Sequence, residues 1–246
     1  FHLGAWLEQR SLETAFAAER WTGDTPAHVP ISCVVPTGLT AEERREAHRA
    51  LKGTMLRQEV YGLDDTTTPY VVTETSYEVK KLQGLKPAKG AKRPRLHGVF
   101  QLLPRESREH VYDRVASDPR VTQWAALDYD TSYGFVTKDV AVAYARRSTP
   151  HTAAESDPEL ADLTDKLPEQ LAVHAIVSES TIAHAVGVTT GYRLALPTET
   201  MTYELTGLEG SSPLSVETLK ASYEAAELNT LAYEDSPTEP TPPDPP

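Results

Sequence analysis

Three aspartates around a turn have the spacing that comes nearest to a metal site. Asp128 and Asp130 lie two residues apart, and Asp139 follows eleven residues after Asp128. A calcium loop needs oxygen ligands at its first, third and fifth positions, glycine at the sixth and a closing glutamate. Here Tyr133 occupies the sixth position, Gly134 comes one residue late, and no glutamate closes the loop. The spacing therefore favours the flank of a hairpin, where alternate carboxylates share one face of a strand.

A run of basic residues is the second candidate, as a phosphate-binding patch. The run consists of Lys80, Lys81, Lys86, Lys89, Lys92, Arg93 and Arg95. It lacks the interleaved aromatic residues that stack on bases and the glycine-rich turns that cradle phosphate. The whole chain has a net charge of −12, which repels nucleic acids and anionic membrane surfaces. The run therefore predicts a solvated loop, and we expect neither a nucleic-acid partner nor direct membrane contact.

The other residues capable of catalysis or metal binding are scattered. His174 and His184 lie on one predicted strand, and the sequence has no His-Glu-X-X-His, His-X-His or Gly-X-Ser-X-Gly motif. The only cysteine, Cys33, lies among apolar residues, which predicts a buried, inert thiol and permits no internal disulfide. A solvated helix face accounts for three glutamates: Glu42, Glu43 and Glu46. The sequence predicts no catalytic, cofactor-binding or metal-binding residue, and hence no enzyme.

Few helices are available to position these residues. Capping signals and apolar periodicity predict short helices near 12–20, 41–52 and 216–226. Thr40 and Glu43 form a capping box before the second helix, and Gly53 suits its left-handed C-terminal cap. Ser215 opens the third helix. Its apolar residues fall on one face: Val216, Leu219 and Tyr223.

Strands dominate the rest of the sequence, since most segments are rich in Val, Thr and Tyr. The predicted strands are Met55–Tyr61, Tyr70–Leu82, Leu96–Leu103, Glu109–Val115, Val121–Asp130, Phe135–Arg146, Leu171–Ala183, Tyr192–Leu196 and Thr200–Thr206. Asp130-Thr-Ser-Tyr-Gly134 is a hairpin signal between two of them. We predict a mainly β protein with long antiparallel strands. It divides into one segment over 1–233 and an acidic, Pro-rich linker over 234–246.

A series of collinear segments resembles one known family. The segments are Phe1–Trp6, Gly38–Glu43, Ala50–Gly53, Leu56–Tyr61, Pro69–Glu74, Asp118–Val121, Tyr144–Arg147, Tyr192–Thr200 and Thr202–Gly207. In this order they resemble the middle region of the B component of insecticidal toxin complexes, a family that includes the amino-terminal part of the virulence protein SpvB. The resemblance covers Phe1 to about Leu219. The family hairpin reads Asp-X-Phe-Gly-Asn where this chain has Asp130–Gly134, and Ala145 replaces the glycine of the family's Tyr-Gly-Arg-Arg.

The resemblance implies a non-enzymatic scaffold in a secreted complex. In this family the B component and the Rhs-repeat C component wind long strands into a hollow shell around a cytotoxic effector. A propeller outside the matched region docks the shell to the pore-forming A component. Phe1 at the start and the Pro-rich end fit a segment of such a longer polypeptide, a strip of β-sheet whose edges neighbouring strips cover.

Two other classes of function remain open on the sequence. One is a fragment of a secreted virulence enzyme with transferase or glycan-hydrolase activity. The family pairs its shells with ADP-ribosyltransferase domains, but the Glu-X-Glu pair of those enzymes is missing from this sequence. The other is a β module that binds carbohydrate or protein. An exposed aromatic cluster formed by Trp124, Tyr129 and Tyr133 would favour it.

Overall fold

The computed structural model describes residues 19–24, 32–64, 67–85, 97–112, 116–147, 168–189 and 191–227. The strands found there are β1 (Arg57–Val60), β2 (Val71–Gln83), β3 (Val99–Val111), β4 (Arg120–Tyr129), β5 (Val136–Ala143), β6 (His174–Val188) and β7 (Gly191–Glu204). The α-helices found there are α1 (Ala41–Ala50) and α2 (Val216–Glu227). Several predictions fall outside the described residues: the helix near 12–20 apart from its last two residues, the basic run beyond Lys81, and the linker 234–246.

The strands form one open antiparallel sheet in sequence order, β1 to β7. Each strand pairs with the next along the chain, which is the simplest arrangement for consecutive hairpin-like connections. The predicted mainly β, antiparallel fold is confirmed. β1 is only four residues long, and its edge of the sheet is continued by Val34, which pairs in parallel with Glu78 of β2.

Two pairs of predicted strands are each one continuous strand. Leu96–Leu103 and Glu109–Val115 correspond to β3, whereas Tyr192–Leu196 and Thr200–Thr206 correspond to β7. Both predicted breaks contain a proline, Pro104 or Pro197, a residue that cannot donate a ladder hydrogen bond. The two breaks are wrong.

Both prolines lie at β-bulges, which explains why the strands continue through them. Pro104 faces Tyr77, and the next pair is Ser76 with Glu106, so that Arg105 is the extra residue. In the same way, Pro197 faces Ile182, and the next pair is Thr181 with Glu199. A bulge already interrupts the ladder, so a missing N–H costs little there.

The main apolar core lies between α2 and one face of the sheet, called here the covered face. Because side chains alternate along a strand, every second residue of the central strands points to α2. The strand residues of this core are Val121, Ala125, Leu127, Val140, Val142, Ala175 and Val177, and they are joined by Tyr144 just after β5 and Leu205 just after β7. From α2, the predicted apolar residues Val216, Leu219 and Tyr223 are all buried. Complete burial of Leu219 contributes roughly 1.5–3 kcal/mol.

α1 begins where the sequence predicts and ends at Ala50, two residues before the predicted end. The Thr40 hydroxyl accepts a hydrogen bond from the Glu43 N–H at 3.2 Å, and the Glu43 carboxylate accepts one from the Thr40 N–H at 3.1 Å. Gly53 follows the helix with a φ of 86°. One prediction is wrong here, because Glu43 is buried rather than solvated. The helix lies against β2 and β3, which places the Glu43 carboxylate 2.7 Å from Nζ of Lys81.

Candidate functional site

A row of polar residues crosses the covered face beside the apolar core. The strand register places Arg57, Glu74, Arg108 and Gln123 side by side on β1, β2, β3 and β4. We call these four residues, together with Glu106 on β3, the polar ladder. Opposite charges on directly facing positions attract each other across a sheet. Nη1 of Arg57 lies 2.6 Å from Oε1 of Glu74, and both side chains are largely buried.

Glu106 is the most enclosed carboxylate of the polar ladder. Its Oε1 accepts hydrogen bonds from Nε of Arg108 and, at 2.6 Å, from Nε2 of Gln123. Burial raises the pKa of Glu106, and the Arg108 charge only partly offsets this effect. A carboxyl with a raised pKa is the group that general acid catalysis needs. Glu106, however, is only 3% exposed, so it presents almost no surface to a substrate.

The polar ladder holds the segment that leads into α2. The Leu214 carbonyl accepts a hydrogen bond from Nε2 of Gln123 at 2.9 Å, and its N–H donates to the Tyr144 hydroxyl at 2.9 Å. That hydroxyl in turn donates to Oε1 of Gln123. The backbone N–H and the carbonyl of Leu214 therefore both bond to Gln123 or Tyr144, which fixes where α2 starts.

Two further polar contacts fasten α2 along its length. Arg105 of β3 pairs with Glu217 in the first turn of the helix. Near the other end, Nζ of Lys138 donates to the Tyr223 hydroxyl at 2.8 Å, and that hydroxyl donates to Glu179. Burial and the bond to Glu179 raise the pKa of Tyr223 to about 12.

Two acid–arginine pairs close the end of the sheet at the start of β4. Oδ2 of Asp118 accepts from Nη2 of Arg146 at 2.8 Å, and its Oδ1 accepts from the Arg147 N–H at 2.9 Å. The Arg147 guanidinium pairs with Asp24, which also accepts the Tyr112 hydroxyl at 2.9 Å. The segments Asp118–Val121 and Tyr144–Arg147, which carry part of the family resemblance, thus meet in space.

The three aspartates of the turn serve three separate purposes. Asp130 accepts backbone N–H groups of Ser132, Tyr133 and Phe135, and the backbone bond from its own N–H to the Phe135 carbonyl closes the predicted hairpin. Burial opposes ionisation of Asp130, but these N–H donors outweigh it and lower its pKa. Asp139 accepts the indole N–H of Trp124 instead, and Asp128 accepts the N–H of the residue that follows it. Among the described residues, no cluster of three His, Cys, Asp or Glu side chains could hold a metal ion.

The remaining predicted positions also lie apart from one another. His174 bonds the Glu169 carbonyl at the foot of β6, whereas His184 contacts the β4–β5 turn. Cys33 is partly exposed, so the predicted burial is wrong: its segment pairs with the edge of the sheet and not with the core. Of the basic run, Lys81 pairs with Glu43, and Nζ of Lys80 lies 3.5 Å from the Thr131 carbonyl.

The three aromatic residues that would favour a binding module make three separate contacts. The Trp124 indole donates to Asp139 at 2.9 Å, and the Tyr129 hydroxyl donates to the Pro104 carbonyl at 2.7 Å. Tyr133 packs edge-on against His184. Trp124 does border a groove of 490 Å³ on the opposite face of the sheet, whose other lining residues include Ala141 and Ile176.

The polar ladder was not predicted from the sequence. A signal for it does exist in the alternation Glu106-X-Arg108-X-His110, where charged or polar residues occupy every second position of a strand. All three side chains are buried on the covered face. Alternating polar residues ordinarily mark the solvent face of a strand, and only the position of the neighbouring strands reverses that interpretation.

The described residues form an open antiparallel sheet whose buried polar groups bond the sheet to its own helix and loops. A family model described as the insecticide toxin TcdB middle/C-terminal region matches residues 46–195. The chain belongs to this family. A search of curated proteins gave no match.

One solved structure extends the likeness to most of the chain. It is the Photorhabdus luminescens Tc holotoxin pore with a mutation in TccC3, which is 29% identical and superposes with a TM-score of 0.62. The match covers 92% of this chain and 10% of that chain. This chain therefore spans about a tenth of the length of the toxin chain that it matches. Among the described residues, no helix has the length and apolar character needed to cross a membrane.

Proposed function

We propose that this chain is a structural segment of the shell of a secreted toxin complex. With the Rhs-repeat C component, the shell encloses a cytotoxic effector, and the pore-forming A component, docked through a propeller outside this segment, delivers it. Residues 1–233 belong to the shell, and 234–246 form a linker. The family and the likeness to the Tc holotoxin support this proposal. The observation that carries it is the exposed outer edge of β7.

β7 is a long strand that lacks a second neighbour within the part of the chain that the structure describes. It has 14 residues, and all but one of them are exposed. Exposed large side chains include Tyr192, Leu196, Met201 and Tyr203. A long, partly apolar edge strand is an aggregation hazard in an isolated protein, so natural proteins cover such edges. Adjoining strands of a shell would supply that cover.

The outward N–H groups of β7 follow from the register. The Leu205 N–H bonds the Ala175 carbonyl at 2.9 Å, so the hydrogen-bonded pairs of the ladder fall on alternate residues from Leu205 backwards. The N–H groups of Thr200, Thr202 and Glu204 therefore point away from β6. These are the groups that an adjoining strand would bind.

The test is a proline at one of these positions. Thr202→Pro removes an outward N–H and puts a ring in the path of an adjoining strand, but breaks no bond to β6. Thr202→Val keeps the N–H and is the matched control. We expect T202P to reduce the yield of complex that co-purifies with the Rhs-repeat C component at least about tenfold, equivalent to ~1.4 kcal/mol. Equal yields from both variants, with T202P folded by circular dichroism, would contradict the proposal.

We also propose that the segment has no catalysis, cofactor or metal of its own. The buried position of Glu106 and the separate contacts of the three turn aspartates support this part of the proposal. Calorimetric titration with calcium, zinc, NAD and ATP should detect no binding tighter than about millimolar, ~−4 kcal/mol. A stoichiometric micromolar isotherm with any of them would favour the enzyme or binding-module alternatives instead.

A further inference from the structure

His184 connects three parts of the molecule. It lies on β6, in the part of the strand that extends beyond β5 and pairs only with β7. Its Nε2 lies 3.3 Å from Oδ1 of Asp130 in the β4–β5 turn, and its Nδ1 accepts the Ala195 N–H of β7 at 3.1 Å. Tyr133 packs edge-on against the imidazole with ring centroids 4.7 Å apart. The side chain is 16% exposed.

These contacts define the tautomer of the neutral ring. An imidazole nitrogen that accepts an N–H carries no proton, so Nδ1 is bare and the proton of a neutral ring is on Nε2. Nε2–H then donates to the Asp130 carboxylate. A protonated imidazole carries N–H groups on both nitrogens, so Nδ1 would no longer accept the Ala195 N–H.

Ala195 depends on this acceptor because its backbone is strained. Its φ is 54°, the left-handed region that side chains other than glycine rarely adopt. The residue lies at an irregularity of the β6–β7 register, where Ala183 pairs with Leu196 but Ala185 pairs with Arg193. The bond to His184 is therefore the contact that holds an unfavourable conformation in β7.

We propose that His184 is a pH-operated latch on the outer part of the β6–β7 ribbon. Imidazole changes charge between pH 5 and pH 8. At a pH below this range, the imidazole gains a proton on Nδ1. The new Nδ1–H faces the Ala195 N–H, and the two donors repel each other. Ala195 is released and leaves its positive φ, while the charged Nε2–H keeps its bond to Asp130. Acid thus loosens the first part of β7, before Leu196, but does not detach β6 from the turn.

Among the described residues, the titratable groups in contact with His184 are the Asp130 carboxylate and the Tyr133 phenol, both in the β4–β5 turn. From β7 the contact is the Ala195 backbone N–H. Lys80 reaches the same turn from β2 through the Thr131 carbonyl.

The test is hydrogen exchange by mass spectrometry on the intact polypeptide, with overlapping peptides across 184–196. We expect the protection factor of the Ala195 amide to fall at least about tenfold between pH 8 and pH 5, the range over which imidazole changes charge. His174→Gln, an imidazole change elsewhere on β6, should preserve this fall. His184→Gln, which has no titratable ring, should abolish it. Ala195→Gly, which accepts a positive φ without strain, should reduce it.

Two results would overturn the latch. One is an unchanged protection factor for the wild-type amide over this pH range. The other is an equal fall with pH in H184Q. Because the wild-type measurement stands on its own, the inference stays testable even if H184Q weakens the whole ribbon. Neither result depends on shell assembly, so the latch and the proposed function succeed or fail separately.

Discussion

At the scale of single residues, the polar ladder places charge where a sheet normally places apolar side chains. Arg57, Glu74 and Arg108 occupy facing positions on three strands, on the same face as the apolar core. Buried ion pairs add little net stability, because desolvation cancels most of their attraction. They do destabilise alternative strand registers. A slip of one residue would move every ladder side chain to the opposite face and leave its partner buried and unpaired. The ladder therefore specifies the register.

Substitution of the polar-ladder residue Gln123 should affect a distant part of the chain, the helix α2. Gln123→Leu keeps a similar side-chain volume but removes one of the two donors to Glu106 and to the Leu214 carbonyl, leaving only Arg108 at each. It also leaves the buried Tyr144 hydroxyl without its acceptor. Each buried group left unsatisfied costs about 1–3 kcal/mol. We expect hydrogen-exchange protection in 214–227 to fall by about 10- to 100-fold in the intact polypeptide. Thr122→Val, on the exposed face of the same strand, should leave it unchanged. Undiminished protection in Q123L would mean that α2 is held by its apolar face alone.

At the scale of elements, the two helices are attached to the sheet in different ways. α2 buries an apolar stripe over the covered face and is fastened by polar contacts at both ends. α1 has a weakly apolar sequence, and its buried residues are Glu43 and Ala47. A single carboxylate therefore caps α1, pairs with Lys81 and also accepts the Leu85 N–H. This concentration of contacts makes α1 the more pH-sensitive helix.

Acid should loosen α1 through Glu43. The hydrogen bond with Lys81 and the Thr40 N–H lower the pKa of Glu43 from 4.5 to about 2. A lowered carboxyl pKa stabilises the fold above the unfolded-state pKa, and that contribution disappears as the pH falls from about 4.5 to 2. Hydrogen exchange of 41–50 should therefore show protection falling between pH 5 and pH 2.5. Glu43→Gln should start lower and change less over this range. The exposed Glu42→Gln should follow the wild type, and a parallel response of E43Q would refute the assignment.

At the scale of the whole molecule, the sheet is open, and the described residues leave much of it uncovered. α2 covers part of one face, and β7 is bare along its outer edge within the described residues. Large apolar side chains are exposed at both sides of the sheet, for example Leu63 near β1 and Tyr192 on β7. Free-standing domains rarely expose large contiguous apolar patches. An embedded strip can leave them for its neighbours.

We therefore expect the chain to associate when it is expressed alone. Unpaired strand edges recruit other chains, and a net charge of −12 only partly opposes association. Light scattering should detect oligomers or aggregates, and calorimetry should show weakly cooperative unfolding. Co-expression with flanking shell regions should restore solubility. A monodisperse monomer with one sharp unfolding transition would show a self-contained domain, and the embedded strip would have to be abandoned.

The sequence by itself determined the features that depend on neighbouring residues. The capping box of Thr40 and Glu43, the apolar face of α2 and the β4–β5 hairpin at Asp130 were all predicted correctly. Each depends on interactions within a few positions, or on an apolar period that a window of sequence reveals. The prediction of a mainly β, antiparallel fold follows from the same local composition.

Only the tertiary structure decided which polar residues are buried and which of the predicted interruptions between strands exist. Pro104 and Pro197 continue their strands because the partner strands supply a bulge opposite each of them. Arg108 is buried because the Leu214 carbonyl and two neighbouring strands surround it. The role of His184 needs a turn 54 residues away in the chain. Contacts between distant segments carry no local signature, because their two partners lie far apart in the sequence and meet only in the folded sheet.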